Sequence, residues 1–281
     1  MKAAKIKYLR AASIDEAIQH TLDNDGPKYM AGGQSMMPMM NLRLAMPGTV
    51  IEISDIPALR ESRHVDGMLF VGACTTHASI EDGKLEDVAR GYLQHVAGGI
   101  AYRAVRNRGT VGGSLVHSDP AADWPSALLA LGAVAVLVSP EGRRNVPLAD
   151  FQTGLMETCL GEREILEGVL LPVLSDKARW GYTKFCRKNG EFSHSIGAVV
   201  IDAANGLANA VVGAASDRPR LLVRVSALLA SGLPAAEVGK PAFEDAIAKD
   251  LADVTDHAPD SYEYHLHKTM VTRAITEALK K

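Results

Sequence analysis

The sequence predicts an α+β protein in two parts, a larger N-terminal domain and a smaller C-terminal α+β domain, divided near residue 175. Three observations carry this reading. Helix-like and strand-like segments are interleaved up to Pro172. The texture then changes: Ser175-Asp176-Lys177 reads as a linker, and strands followed by helices come after it. With 281 residues, the chain is long enough for a sizeable core split into more than one domain.

Each element has a local reason. Ser13 can cap a helix and Glu16 can complete a capping box, so a helix runs to about Leu22 and ends at Asn24-Asp25-Gly26-Pro27. Lys28 to Ala31 is a short strand entering a glycine loop, and Met36 to Leu44 begins as a short helix whose methionines pack a core. Thr49 to Ile53 alternates as a strand, and Met68 to Ala73 is another. Leu85 to Val105 reads as helical with interruptions at Gly91 and Gly98-Gly99, and Arg106 to Gly109 as a turn. Asp119 is expected to cap a helix with Pro120 in its first position. Ala133 to Val138 and Glu164 to Pro172 are strands. Beyond the linker, Trp180 to Phe185, Gly197 to Asp202 and Asn209 to Ala215 are strands, and the chain is mostly helical from Leu221 onward.

Composition narrows the function. The formal net charge is -3 with no basic block or acidic tract, which argues against a nucleic-acid partner. No apolar run is long enough for a membrane span, and the lysine-rich start lacks the apolar stretch of a signal peptide, so a cytoplasmic protein is expected. Cys74, Cys159 and Cys186 are too far apart in sequence for a metal or redox motif, so this chain is expected to hold no iron-sulfur centre. His265 and His267 point to different faces of a probable helix, against a metal pair.

Two segments share a grammar that can serve chemistry: Ala31-Gly32-Gly33-Gln34-Ser35 and Thr110-Val111-Gly112-Gly113-Ser114. Adjacent glycines allow close backbone approach and expose N–H donors, and the polar flanks add side-chain donors. Either alone is also compatible with a plain Gly-Gly turn. Together they can converge on the two phosphates of a dinucleotide, although neither matches a P-loop or a Rossmann fingerprint. Asp119 has a sufficient role as a cap. Asp123 can complement a helix dipole or accept from a ribose hydroxyl.

Residues 31 to 45, Ala-Gly-Gly-Gln-Ser-Met-Met-Pro-Met-Met-Asn-Leu-Arg-Leu-Ala, resemble the first FAD loop of the medium, flavin-binding subunit of molybdenum hydroxylases, the family of the carbon monoxide dehydrogenase and xanthine dehydrogenase flavoproteins. Residues 110 to 123 resemble its second loop, and Ile165-Leu166, Tyr182 to Phe185, Ser261 to Tyr264 and Arg273-Ala274 match further positions in order. The resemblance implies an FAD-binding domain of the vanillyl-alcohol-oxidase-like (PCMH) type over 1–175, with subdomains of about 1–57 and 58–175, then a C-terminal domain over 176–281. It places Tyr29, Met30, Ala31, Gly32, Gly33, Gln34, Ser35, Met36, Thr110, Val111, Gly112, Gly113 and Ser114 around the diphosphate. It places Asp123 at the ribose or adenine end, and Ile100, Leu166, Lys184 and Phe192 near the cofactor. Gln34 stands where many relatives have His, and Ser114 where many have Asn; both still hydrogen-bond.

The resemblance also implies a role. The chain would take electrons from two [2Fe-2S] clusters of a small subunit onto FAD and deliver them to an external acceptor. A large subunit with a molybdopterin-type molybdenum cofactor would oxidise the substrate, in a dimer of heterotrimers. No catalytic acid or base is expected on this chain. A stand-alone FAD reductase of the same fold and a non-catalytic scaffold are the alternatives. The C-terminal Ser261 to Tyr264 pattern argues against the first, and the glycine loops with Asp123 and Lys184 against the second.

Overall fold

A computed structural model describes residues 2–280. The chain begins with β1 (Lys7–Arg10), α1 (Ile14–Leu22), β2 (Pro27–Met30), α2 (Met36–Asn41) and β3 (Thr49–Glu52). These form a parallel sheet of order β1-β3-β2. Ser13 caps α1 by accepting from the Glu16 N–H, as the sequence predicts. The Glu16 carboxylate reaches back to the N–H of Ala12 rather than of Ser13, so the box closes one residue early. Of the methionines expected in the core, Met40 is buried but Met37 is 43% exposed, because α2 covers the sheet with only one face.

The second sheet has the order β4-β5-β10-β6-β7 and is antiparallel throughout. Along the chain come β4 (Ser62–Val65), β5 (Met68–Gly72), α3 (His77–Glu81), α4 (Tyr92–Gly99), α5 (Arg103–Arg106), α6 (Val111–His117), α7 (Asp123–Leu131), β6 (Val134–Ser139) and β7 (Gly142–Pro147). Then follow α8 (Leu148–Phe151), a small hairpin of β8 (Gln152–Gly154) and β9 (Glu157–Thr158), and the central β10 (Ile165–Pro172). The central strand is buried from Ile165 to Leu171, which explains its near-continuous apolar sequence. Its one charge, Glu167, is held by two bonds from Arg143 at 2.7 and 3.0 Å.

Three expectations are corrected here. The helix expected from Leu85 is α4 alone plus the short α5. Asp87 accepts from the N–H groups of Ala89 and Gly91 and holds the preceding stretch in turns, and Gly91 is left-handed with φ 80°. The helix expected to start at Pro120 starts at Asp123, because Asp119 instead bonds the Ala121 N–H in a local turn. The second glycine segment is not a loop but the cap and first turn of α6.

The third sheet is antiparallel, with β11 (Arg179–Phe185), β12 (Ser195–Asp202), β13 (Leu207–Gly213) and β14 (Arg220–Leu221) in that order. It is followed by α9 (Val223–Ala230), α10 (Pro241–Val254) and α11 (Tyr262–Lys280). Every residue of β12 is buried. On one side α11 lies across β11 and β12, with the Thr183 hydroxyl bonding the Met270 carbonyl at 2.7 Å. On the other, α7 packs against β12 and β13, so Ile196, Ala198, Val200 and Val211 join the same core as Trp124 and Leu128. Among the described residues no helix is long and apolar enough to cross a membrane.

Asp202, at the end of β12, is 1% exposed and ties this sheet to the segment entering it. It accepts from Ser175 through its N–H and hydroxyl, at 2.7 and 2.5 Å, and from Asn205 at 2.7 Å. Burial pushes its pKa up, but these donors outweigh burial and hold it below the usual range. Replacing Asp202 by Ala orphans these donors and should cost about 2 kcal/mol in urea unfolding; Asp202→Asn, which keeps an acceptor, should cost less.

Candidate functional site

The two glycine segments meet. Gly32 lies so close to the peptide after Arg108 that a Cβ there would collide with the Arg108 carbonyl. Arg108 Nε also donates to the Gly32 carbonyl at 3.3 Å. Gly112 is packed equally hard from below: a Cβ would stand 2.7 Å from the Ala73 carbonyl oxygen. Gly33 is left-handed, with φ 71°. Gly32 and Gly112 therefore bring protein backbones together, where the sequence reading had glycines giving room to a ligand.

The backbone donors differ between the segments. The bond from the Met37 N–H to the Gly33 carbonyl opens the first turn of α2, and the N–H groups of Gly33 to Met36 precede it without an acceptor of their own in the helix. In the second segment the N–H groups are engaged. Val111 donates to Thr75, Gly112 to Ala73, Gly113 to the Thr110 hydroxyl and Ser114 to the Thr110 carbonyl. The expectation that both segments expose N–H donors is thus met by the first only. The second offers the half-buried Ser114 side chain.

Electrostatics suit an anion. Residues 29–36 and 106–114 contain Arg106 and Arg108 and no Asp or Glu. Two surface depressions elsewhere carry both signs of charge, Lys7 with Asp23 and Asp25 in one and Arg143 with Asp15 in the other. A set of backbone N–H groups, the Ser35 and Ser114 hydroxyls and the Arg108 guanidinium fits a diphosphate.

Asp123 and Lys184 come together directly. Lys184 Nζ and the Tyr182 hydroxyl both donate to Asp123 Oδ1 at 2.7 Å, and Lys184 Nζ also donates to the Gly99 carbonyl at 2.8 Å. This cluster joins the N-terminus of α7, strand β11 and the C-terminus of α4, where an ammonium complements the helix dipole. Burial and then the Asp123 charge drive the Tyr182 pKa well above its usual value, so it stays a donor.

The other expected residues are spread around this centre. Ile100 is the residue that ends α4 and packs against the main core. Leu166 is buried on β10, against which α6 packs. Tyr29 is drawn toward α1, its hydroxyl accepting from Thr21 at 2.6 Å, and Met30 is buried beneath α2. The Gln34 side chain folds back to the Gly32 carbonyl at 3.3 Å. Phe192 is 64% exposed on the loop between β11 and β12.

Sequence reasoning missed the supports. His77 donates its backbone N–H to the Gly109 carbonyl, and its Nδ1 accepts from the buried Trp124 indole at 2.9 Å. Burial, and then the nearby Arg106, lower its pKa to about 4. The ring is therefore a neutral wedge under the second segment, and no local motif announces a partner 47 residues away.

The family model described as "FAD binding domain in molybdopterin dehydrogenase" matches residues 4–174. The nicotine 6-hydroxylase medium subunit of Paenarthrobacter nicotinovorans is 34% identical over 99% of both chains. The carbon monoxide dehydrogenase medium chain of Hydrogenophaga pseudoflava is 35% identical over 70% of this chain and 69% of that one. Among solved structures, carbon monoxide dehydrogenase from Hydrogenophaga pseudoflava lacking the Mo-pyranopterin moiety of its molybdenum cofactor superposes with a TM-score of 0.90 at 29% identity, covering 100% of this chain and 99% of that one. Quinoline 2-oxidoreductase from Pseudomonas putida 86 gives a TM-score of 0.87 at 27% identity over the same shares. The fold is thus the PCMH-type FAD-binding arrangement.

His77 has a counterpart in His267, whose Nδ1 lies 2.9 Å from the Ser195 hydroxyl and whose pKa is lowered to about 4, first by burial and then by His257. Both rings are neutral when folded, so the unfolded chain, at an ordinary 6.5, takes up protons first. Their contribution to stability is complete above pH 6.5 and is lost as pH falls toward 4. Urea unfolding across that window should show a falling stability whose slope is shallower in a His77→Gln, His267→Gln double variant; an unchanged slope contradicts the assignment.

Proposed function

Since this chain belongs to the FAD-binding family of molybdopterin dehydrogenases, we propose that it is the electron-transferring FAD subunit of a molybdenum hydroxylase complex. The observation that carries the proposal is the meeting of the glycine segments at Gly32 and Arg108, which gathers donors without a carboxylate. The N–H groups of Gly33 to Met36 with Ser35, Ser114 and Arg108 would hold the diphosphate. Asp123 and Lys184 would lie toward the ribose, and Ile100 and Phe192 toward the flavin ring. Leu166 would form the floor beneath α6.

FAD held by these residues would supply the redox chemistry between the [2Fe-2S] clusters of a small subunit and an external acceptor. The chain's own residues bind and orient it; none is needed as an acid or base on the organic substrate. A large subunit with the molybdenum cofactor would carry that reaction, and a cytoplasmic dimer of heterotrimers is the assembly proposed. The medium-chain and medium-subunit relatives support this reading. So do three cysteines that are all unpaired, one of them, Cys74, with its thiol pushed by burial up to about 12.

The purified chain should show flavin absorption bands and release FAD on denaturation; a colourless protein that takes up no FAD on titration contradicts the proposal. Gly32→Ala and Gly112→Val should weaken FAD binding by at least about tenfold, because each pushes the two segments apart. Titration of the apoprotein with FAD measures this, and wild-type affinity in both variants overturns the phosphate assignment.

A further inference from the structure

Three consecutive carbonyl oxygens at the end of α4 are each caught by a cationic side chain. Lys184 takes that of Gly99 at 2.8 Å. Arg106 Nη1 takes those of Ile100 and Ala101 at 2.8 and 3.1 Å. Arg106 is in turn fixed by Glu81, which receives Nε and Nη2 at 2.8 Å each. The guanidinium is a planar fork with its donors spent on two carbonyls and one carboxylate, and its side chain is only 12% exposed. The hydrogen bonds from Arg106 are also the foremost reason that the Glu81 carboxyl sits below its usual range.

The turn held in this way is unusual. Ala101 has φ 41°, a conformation that a non-glycine residue keeps only when its surroundings impose it. The neighbouring Tyr102 ring lies against Gly190, two residues from Phe192. On the other side, α5 leads through Arg108, whose carbonyl abuts Gly32, into the second glycine segment. The Ile100–Ala101 turn thus stands between the glycine segments and the loop that carries Phe192. Its two peptide groups have their carbonyls turned toward Arg106, so the N–H groups of Ala101 and Tyr102 are turned the opposite way.

We propose that Arg106, braced by Glu81, is a positioning residue for the flavin: it imposes the left-handed turn at Ala101 and so sets how Ile100 and the adjoining N–H groups face the ring. The proposal rests on the FAD reading above. Arg103 is the internal control. It binds Glu81 and Asp82 at 2.7 Å from the exposed side and no carbonyl of the turn is among its partners.

The test uses the full chain as Arg106→Gln, Arg106→Lys, Glu81→Gln and Arg103→Gln. Each apoprotein is melted, then titrated with FAD, and the visible spectrum and midpoint potential of the bound flavin are recorded. Arg106→Gln should bind FAD at least about tenfold more weakly, with a changed long-wavelength band and a shifted potential. Arg106→Lys, which keeps the charge but not the fork, should fall between it and wild type. Glu81→Gln should move the same readouts in the same direction, and Arg103→Gln should match wild type. Wild-type affinity, spectrum and potential in Arg106→Gln overturn the proposal, as does an equal loss in Arg103→Gln. If Arg106→Gln does not fold, unaltered flavin properties in both Arg106→Lys and Glu81→Gln overturn it. A wild-type chain that binds no FAD overturns the underlying reading instead, which separates the two failures.

Discussion

The site depends on one steric constraint, the contact of the Gly32 backbone with the Arg108 peptide. A single added carbon at position 32 has nowhere to go, because its neighbour is backbone and not the end of a flexible side chain. This contact couples the loop that leaves the parallel sheet to the segment that enters α6. Everything that positions Arg108 therefore positions the first glycine segment as well. That includes the His77 wedge, which bonds Gly109 and Trp124, and the fixed end of α5.

A second link closes the site from the C-terminal side. Asp123, Lys184 and Tyr182 form a nearly buried cluster whose charges are matched and whose ammonium also donates to the end of α4. Removing one partner from such a pair leaves an uncompensated charge and typically costs about 3–5 kcal/mol. The cluster spans residues that the sequence places far apart, in the N-terminal and C-terminal parts. The shared core of α7 with β12 and β13 makes that span possible, since it presses the third sheet onto the helix that begins at Asp123. The boundary read near residue 175 marks a change of sheet, while the core runs across it.

Much of this was legible in the sequence where local pattern decides structure. The central strands β10 and β12 were readable because burial on both faces demands an apolar run, and α1 because Ser13 and Glu16 sit at capping spacing. The edge strands β4 and β7 were not, since Ser62-Arg63-His64 and Gly142-Arg143-Arg144-Asn145 are polar, as exposed edges are. The five-residue α3 is too short for a periodic signal, and α6 resembles a loop in sequence because its first turn carries two glycines. Asp119-Pro120 gave a sound helix-start signal that a local turn outcompeted. At the site, Asp123 and Lys184 were identified as separate positions; that each is the other's partner is a tertiary fact which no spacing rule contains.

The glycines show why a motif and its physical reason must be kept apart. Gly-Gly with polar flanks marks two segments that meet in the fold, yet of the features it suggests, room for a ligand and free N–H groups, only the N–H groups of the first segment are present. In the second segment Gly112 serves the packing of α6 on Ala73, the residue that follows β5, and the N–H groups there are occupied by Ala73, Thr75 and Thr110. The start of α6 satisfies its own donors, whereas the first turn of α2 leaves its N–H groups unspent inside the helix. An anion between them would be held asymmetrically, by backbone from one segment and by side chains from the other. Gln34 and Ser114, polar flanks of the two glycine pairs, lie one on each side of that asymmetry. The Gln34 amide is turned back on Gly32 and supports the contact between the segments. Ser114, whose N–H is already bonded to Thr110, has only its side chain to offer.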